Sequence, residues 1–470
     1  MGLIKKNWPL IFLVALSLVF YLANLGERPL EDYDEATYAS VLRSSFERSD
    51  FLSFEYFDRD WFEKPPLYFW LAAASVKVFG FNEFALRLPS ALAGIVSVLL
   101  TYLIALALTQ DRPAALFAGL VLTLIPFFTA ATRNMRMDTP VTACILAALY
   151  FYILGFKKQK YLLGIGISIG VGILFKSIVG LLAWPILLIW STTTKQWRWI
   201  KNKFFWLGNL IGIFLAVPWH IYEGLKFGGG FWRDYLDYHV FARFGENILG
   251  SKITVSYYLH SLWKLSQPIL PLILICAILL PIFLKNRKKL GDIPHYLAAG
   301  LISVLFIFTL FSLSQTKLIT YYTPLYPFVA LAGGLAYFGV KRTTSRRHWL
   351  VHSMAVIIVF VFGYYGLSEF FYPQIYITRA APDEKAIGLY LAQNHRGEEI
   401  NIFNWNHHNT IRYYSGRPTE SLQFNTDRAP RIPSWLIVPT EVFEINKQLT
   451  PLPAPYHGEY LTLVRLIDEK

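Results

Sequence analysis

The chain of 470 residues holds only two cysteines, Cys144 and Cys276, and each lies inside an apolar run. That excludes a disulfide scaffold and a cysteine-based metal centre, and both thiols read as free and buried. Charge is scarce too, at 16% of the residues, and acids are the scarcer sign, with 31 Asp and Glu against 44 Lys and Arg. Disordered chains show the opposite balance, high charge with little apolar content. No internal repeat, heptad pattern or low-complexity tract is found, so solenoids and coiled coils are also excluded.

What is present is apolar: 54% of residues are hydrophobic and 17% aromatic. They fall in runs of roughly 16 to 24 residues nearly free of charge, the length that crosses a hydrocarbon core about 30 Å thick. The net charge of +13 raises the question of nucleic acid. The bases, however, sit in short loops between the runs, where membrane topology accounts for them, and no nucleic-acid partner is expected. Lys5 and Lys6 precede an apolar run at 8–25. With no small-x-small cleavage site after it, this run is expected to stay as a first span.

Six basic clusters mark one side by the positive-inside rule: Lys5/Lys6, Arg112, 157–160, 195–203, 285–289 and 341–347. Placing all six inside gives eleven spans, near 8–25, 88–108, 113–131, 138–156, 160–175, 178–193, 204–221, 262–284, 294–313, 319–339 and 349–367. The expected fold is a polytopic α-helical membrane protein of about 11 to 13 helices. Residues 66–80 then form an apolar helix that does not cross, within a first outer loop at 26–87. A second large outer loop spans 222–260. The transmembrane part ends near 372, and from 373 to 470 helix-like and strand-like patterns alternate, as in a small outer α/β domain.

This topology gathers five polar patches on one side. The first, residues 31–64, opens with Glu31-Asp32-Tyr33-Asp34-Glu35, four carboxylates in five residues. Behind it Tyr38, Ala39, Leu42 and Phe46 form an apolar stripe while Arg43, Glu47 and Arg48 face away, as in a helix lying flat on a bilayer. Two readings of Asp34 stand side by side, a catalytic carboxylate and a helix N-cap with Glu35 in the first turn. Next, Glu63 and Lys64 precede Pro65-Pro66, a stiff start that aims both side chains at the water boundary. Lys176 sits alone between two short apolar spans, a depth at which a charge points to function. Arg133, Arg136 and Asp138 bracket another outer loop, and Lys317 leads into Tyr321 and Tyr322. Together with Lys64, these cations suit an anionic ligand such as a phosphate. His239 stands near Arg243 in the second large loop; beside Glu63 it would complete a metal site.

The motifs Tyr-Asp-Glu-x-x-Tyr-Ala (33–39), Glu-Lys-Pro-Pro-Leu-Tyr (63–68), Arg-Met-Asp (136–138), Phe-Lys-Ser (175–177), His-Val-x-x-Arg-Phe (239–244) and Phe-Ser-x-Ser-x-x-Lys-Leu-x-x-Tyr (311–321) occur in one order. With Phe79 to Ala91 and Phe231 to Tyr235 they resemble the bacterial branch of the protein mannosyltransferase superfamily, above all the lipid A aminoarabinose transferases. The resemblance covers residues 1 to about 340 and is looser in the tail. It implies a GT-C membrane glycosyltransferase, working as a monomer, that takes a sugar from a polyprenyl-phosphate donor of the undecaprenyl type. The acceptor would be lipid A or another envelope glycolipid at the outer face of the bacterial cytoplasmic membrane, with inversion at the sugar.

It further implies that Asp34, with Glu35 beside it, is catalytic and that Glu63 and His239 match a divalent-metal site (Zn, Mg or Mn) seen in relatives. Lys64, Lys176, Arg243 and Tyr321 match positions around the donor phosphate, where Arg136 and Lys317 are added by their charge, and Asp138 is a further candidate. Relatives often carry Arg where this chain has Thr37, so contacts differ there. The absence of a Gly-rich dinucleotide fingerprint argues against a soluble nucleotide-sugar donor. Two alternatives stay open: a transporter or flippase of lipid-linked sugars, and a protein O-mannosyltransferase-like enzyme.

Overall fold

The computed structural model describes residues 2–246, 268–316, 318–344, 348–372, 379–394, 398–403, 405, 408–422, 433–445 and 452–466. Contacts divide the chain into two compact units, the first made of Met1–Leu25, Phe62–Ser75 and Arg87–Ile375, the second of Gly26–Trp61, Val76–Leu86 and Tyr376–Lys470. The first outer loop thus belongs largely to the unit that contains the tail.

The first unit is helical. Among the described residues seven helices are long and apolar enough to cross a membrane: Glu83–Thr109, Asp138–Gly155, Gln159–Thr194, Lys203–Phe227, Ile293–Leu313, Ile319–Thr343 and His348–Phe371. An eighth candidate is Arg112–Leu124 with Pro126–Thr132, bent by 67°. The bend has a local cause, because Ile125 precedes a proline and is held in an extended conformation (φ −67°, ψ 118°). Shorter apolar helices lie at Asn7–Leu22, Leu67–Phe79 and Ile269–Lys285. Each of the eleven expected segments therefore contains helix, and 66–80 is a helix of 13 residues, about 20 Å long and short of the hydrocarbon thickness.

The 36-residue stretch Gln159–Thr194 is not one straight rod. At Ser177 the backbone turns to φ 46°, and a Cβ on Gly180 would collide with the main chain of Gly172. Residues eight apart on a straight helix stand about 12 Å from each other, so the chain reverses at Lys176-Ser177 into two legs. This matches the two short spans expected at 160–175 and 178–193. The first leg packs backbone to backbone on Lys203–Phe227. Gly166 and Gly170 face Gly208 and Gly212, and a Cβ at any of the four would strike the opposing main chain. Small residues four apart permit such approach in lipid, where van der Waals contact replaces the hydrophobic effect as the drive. On outward faces large apolar side chains such as Phe214, Leu225 and Phe360 are exposed, as lipid contact requires.

In the second unit the helix Asp34–Arg48 buries Glu35, Ala36, Tyr38, Ala39, Val41, Leu42 and Ser45. The expected stripe is thus present but is used for packing within the unit. Arg43 does not face away: its guanidinium lies 4.3 Å from the Tyr413 ring centroid and 5.3 Å from that of Phe81. A short hairpin, β1 (Glu55–Tyr56) and β2 (Arg59–Asp60), follows. The tail is α/β as expected. Its strands β3 (Glu399–Phe403), β4 (Glu420–Leu422), β5 (Ser434–Pro439), β6 (Tyr456–His457) and β7 (Leu461–Leu466) form one sheet in the order β4-β3-β5-β7-β6. β3 runs parallel to β4 and β5, while β7 is antiparallel to β5 and β6. Alternation along β3 and β5 sends Ile400, Ile402, Trp435 and Ile437 into a core with Ile387 and Leu391 of the helix Ala381–Asn394 and with Ile411.

Candidate active site

The dense charge cluster of the first unit is built on Glu63, where the chain enters the apolar helix behind Pro65-Pro66. Arg243 Nη2 donates to Glu63 Oε1 at 2.7 Å, Lys64 Nζ stands 3.3 Å from the same oxygen and His239 Nδ1 3.5 Å from it. Burial alone would raise the Glu63 carboxyl, but Lys64, His239 and Arg243 beside it overcome this and hold it down at about 2. His239 is pushed down to about 3, by burial first and then by Lys64 and Arg243, against the opposing pull of Glu63. At pH 7 the cluster is thus one carboxylate, two cations and a neutral imidazole.

His239 reaches Glu63 from a π-helix, Arg233–Ala242. In that wide turn residues five apart share a face, and Asp234 Oδ1 comes to 3.7 Å from His239 Nε2. One residue on, the buried Tyr235 hydroxyl lies 2.8 Å from His220 Nε2, with Ser177 also bonded to it. Sequence reasoning missed the pairings of Asp234, Tyr235 and His220. A histidine within the apolar run 204–221 was the available signal for the last.

Downstream, Arg243 is fixed by its own backbone. Its carbonyl accepts from Ser314 Oγ and from Thr316 N–H, both at 3.0 Å, and Gln315 N–H donates to Phe244 O at 2.9 Å. The motif that precedes Lys317 is therefore laid against Arg243; Lys317 itself lies outside the described residues.

A second cluster forms at the hairpin tip. Lys176 Nζ donates to Asp138 Oδ1 at 2.5 Å and stands 5.6 Å from the Tyr321 ring centroid. The lone cation of the sequence is thus an ion pair, with its partner on the helix that begins at Asp138. Arg136 is buried, and its N–H donates to Ser90 Oγ at 3.2 Å, which in turn bonds the Arg136 carbonyl and lies 2.8 Å from the Tyr68 hydroxyl.

The second unit holds Asp34 and Glu35. Tyr33 takes the N-cap position and makes no side-chain cap, so the N-cap reading of Asp34 fails and Asp34 is the first helical residue. Asp34 is half-buried, and its Oδ1 accepts from the Tyr38 hydroxyl at 3.4 Å. Glu35 is fully buried, its Oε2 accepting from Glu31 N–H at 2.9 Å.

Among the described residues no group of three or more His, Cys, Asp and Glu is arranged to hold a metal. Glu63 and His239 do meet, as expected of a metal pair. The same Glu63 oxygen, however, already carries Arg243 and Lys64, and a dication there would have to displace or face both positive charges. The donors as arranged do not fit a metal centre.

Residues 63–222 match the family model described as dolichyl-phosphate-mannose-protein mannosyltransferase. The undecaprenyl phosphate-alpha-4-amino-4-deoxy-L-arabinose arabinosyl transferase of Aeromonas hydrophila is 30% identical over 385 residues, covering 78% of this chain and 67% of that protein. The transferase of that name from Pseudomonas paraeruginosa is 29% identical over 346 residues, 70% of this chain and 59% of its own. The matched part is thus about two thirds or less of these relatives' length. Among solved structures, ArnT from Cupriavidus metallidurans bound to undecaprenyl phosphate superposes with a TM-score of 0.71 at 19% identity, over 98% of both chains. The Archaeoglobus fulgidus oligosaccharyltransferase in complex with Zn and sulfate gives 0.54 at 12% identity, over 92% of this chain and 68% of its own. Both likenesses establish the fold. Membership of a family of enzymes displaces the transporter alternative: the chain belongs to the undecaprenyl phosphate-alpha-4-amino-4-deoxy-L-arabinose arabinosyl transferase family, membrane glycosyltransferases of the GT-C fold.

Proposed function

We propose that this chain moves a sugar from an undecaprenyl-phosphate-linked donor onto a glycolipid of the cell envelope, lipid A foremost, at the outer face of the bacterial cytoplasmic membrane. The observation that carries the reading is the Glu63 cluster, in which one carboxylate holds Lys64 and Arg243 beside each other next to apolar spans, in a chain of this family. Paired cations at a membrane boundary suit a phosphate whose lipid tail stays in the bilayer.

In the reaction the acceptor hydroxyl oxygen bonds the anomeric carbon while its proton passes to the Asp34 carboxylate. The bond from that carbon to the phosphate oxygen breaks, and the electron pair leaves with the polyprenyl phosphate. Lys64 and Arg243 neutralise the charge that develops there, since fixed cations in a site of low dielectric act strongly on such charge. Attack from the face opposite the phosphate inverts the anomeric centre. Lys176, Tyr321, Arg136 and Lys317 are assigned to the wider surroundings of the phosphate, Asp138 serves as counter-ion of Lys176, and Glu35 braces the helix that bears Asp34. No step is routed through a metal. A protein acceptor is the second reading, favoured by the family model over residues 63–222.

The test is incubation of the purified protein with radiolabelled polyprenyl-phosphate sugars and membrane extracts, followed by identification of the product. Label in lipid A or another glycolipid supports the reading. Label in protein selects the second, and label in neither rejects both.

The proposed sidedness puts 26–87, 222–260 and the tail 373–470 outside, and the basic loops inside. Cysteines introduced at the exposed positions Arg59 and Lys77, in a background lacking Cys144 and Cys276, are expected to react with an impermeant maleimide added from outside. A cysteine at exposed Gln159 is expected to react only after permeabilisation. Labelling at Lys77 from the inside alone would mean that the 67–79 helix crosses.

A further inference from the structure

The acidic motif contains a carboxylate to which the transfer chemistry gives no task, Asp32. It is buried, and its Oδ1 accepts the N–H of Thr410 at 2.9 Å. Thr410 is the second residue of the helix Asn409–Ser415, and further hydrogen bonds join that helix to the first loop. The Tyr414 hydroxyl accepts from Leu30 N–H at 3.1 Å and donates to Glu83 Oε1 at 2.7 Å, where Lys385 Nζ also donates at 2.6 Å. Arg43 donates to Tyr413 O at 2.6 Å, and the Tyr56 hydroxyl donates to Asn409 Oδ1 at 2.8 Å. Five loop residues are thus tied to one seven-residue helix.

Between these ties and Asp34 stands Tyr33, at φ 65° and ψ −92°. A bulky side chain rarely adopts positive φ, and such a conformation persists only where its surroundings over-determine it. The surroundings here are the Asp32–Thr410 bond before Tyr33 and the Glu35 carboxylate on Glu31 N–H after it. Ala36 N–H closes the turn on Glu31 O at 3.1 Å.

We propose that Asp32 and Tyr414 are positioning residues, which clamp the strained turn at Tyr33 to the Asn409–Ser415 helix and so fix the direction in which Asp34 presents its carboxylate. The proposal deepens, and rests on, the reading of Asp34 as the proton acceptor. A reacting group displaced by about 1 Å loses on the order of a hundredfold in rate, so a loosened clamp reads out in kcat. Donor affinity, which the clamp does not serve, stays near the wild-type value.

The experiment compares full-length Asp32→Ala, Asp32→Asn and Tyr414→Phe by hydrogen exchange over residues 30–42 and by steady-state kinetics with the labelled donor. Asp32→Ala is expected to exchange faster across that segment and to lose about tenfold to a hundredfold in kcat, with KM for the donor within about twofold. Asp32→Asn keeps the Oδ1 acceptor and is expected to restore both properties. Tyr414→Phe removes one hydroxyl and repeats the loss if Asp32→Ala fails to fold. Unchanged exchange in Asp32→Ala and Tyr414→Phe overturns the clamp, and so does a rise in KM at constant kcat. Faster exchange together with a fully active Asp34→Asn enzyme overturns the proposal through its premise, the role of Asp34.

Discussion

Asp34→Asn is expected to lower kcat by about 10²- to 10⁴-fold, the range that a positioned acid or base supplies, while expression and donor binding stay close to wild type. Asparagine keeps the shape and the oxygen that accepts from Tyr38, and removes only the capacity to take a proton. No side-chain cap is lost, because Tyr33, not Asp34, holds the cap position. A stability difference beyond about 0.5 kcal/mol is therefore not expected. Rates measured at saturating donor, beside a thermal melt of each protein, decide it. Wild-type kcat in the Asp34→Asn enzyme removes Asp34 from the chemistry. Glu35→Gln makes the contrast, since Glu35 is fully buried on Glu31 N–H and its loss should appear first in the melt.

Truncation of Lys64 or Arg243 to Ala is the second large effect. Each cation is positioned for a charge-assisted contact worth about 1.5 to 3 kcal/mol. Affinity for undecaprenyl phosphate should then fall by roughly 10- to 150-fold per residue, and affinity for uncharged undecaprenol much less. Both lipids titrated into the same detergent-solubilised preparation give the comparison, and equal losses for the two would assign these cations to structure alone. Lys176 behaves differently in this test. Its removal strands Asp138, which is buried and paired at 2.5 Å, and breaking a buried pair from one side commonly costs about 3 to 5 kcal/mol. The Lys176→Met variant should therefore melt early, and adding Asp138→Asn should recover part of the loss.

The spans were legible because a bilayer imposes a length on every crossing helix, and composition alone then marks the segments. The tail was legible because short apolar runs such as 434–438 alternate with an amphipathic stretch at 382–394. The resemblance paired Glu63 with His239 as a metal site and set Arg243 with Lys64 around the donor phosphate, whereas the geometry brings His239, Arg243 and Lys64 onto one Glu63 oxygen. What could not be read depends on partners distant in sequence or on an uncommon helix. Arg43 looked solvent-facing because Tyr413 lies 370 residues away, and Lys176 looked solitary because Asp138 lies 38 residues back. The Asp234–His239 pair is hidden by the π-helix, since a search at 3.6 residues per turn puts residues five apart on different faces. Asp32 was visible only as one acid among four.

The glycine seam between the helix Leu163–Lys176 and the helix Lys203–Phe227 also bears on the order of assembly. Gly166 and Gly170 meet Gly208 and Gly212 across fewer than 50 intervening residues, and no side chain has to be ordered for them to meet. Contacts so close in sequence close small loops and form quickly. The seam is complete once residue 227 has entered the bilayer, while the spans from 269 onward are still to be made. The nascent chain thus carries the hairpin tip with Lys176, and Asp138 before it, into a packed frame against which the later helices dock.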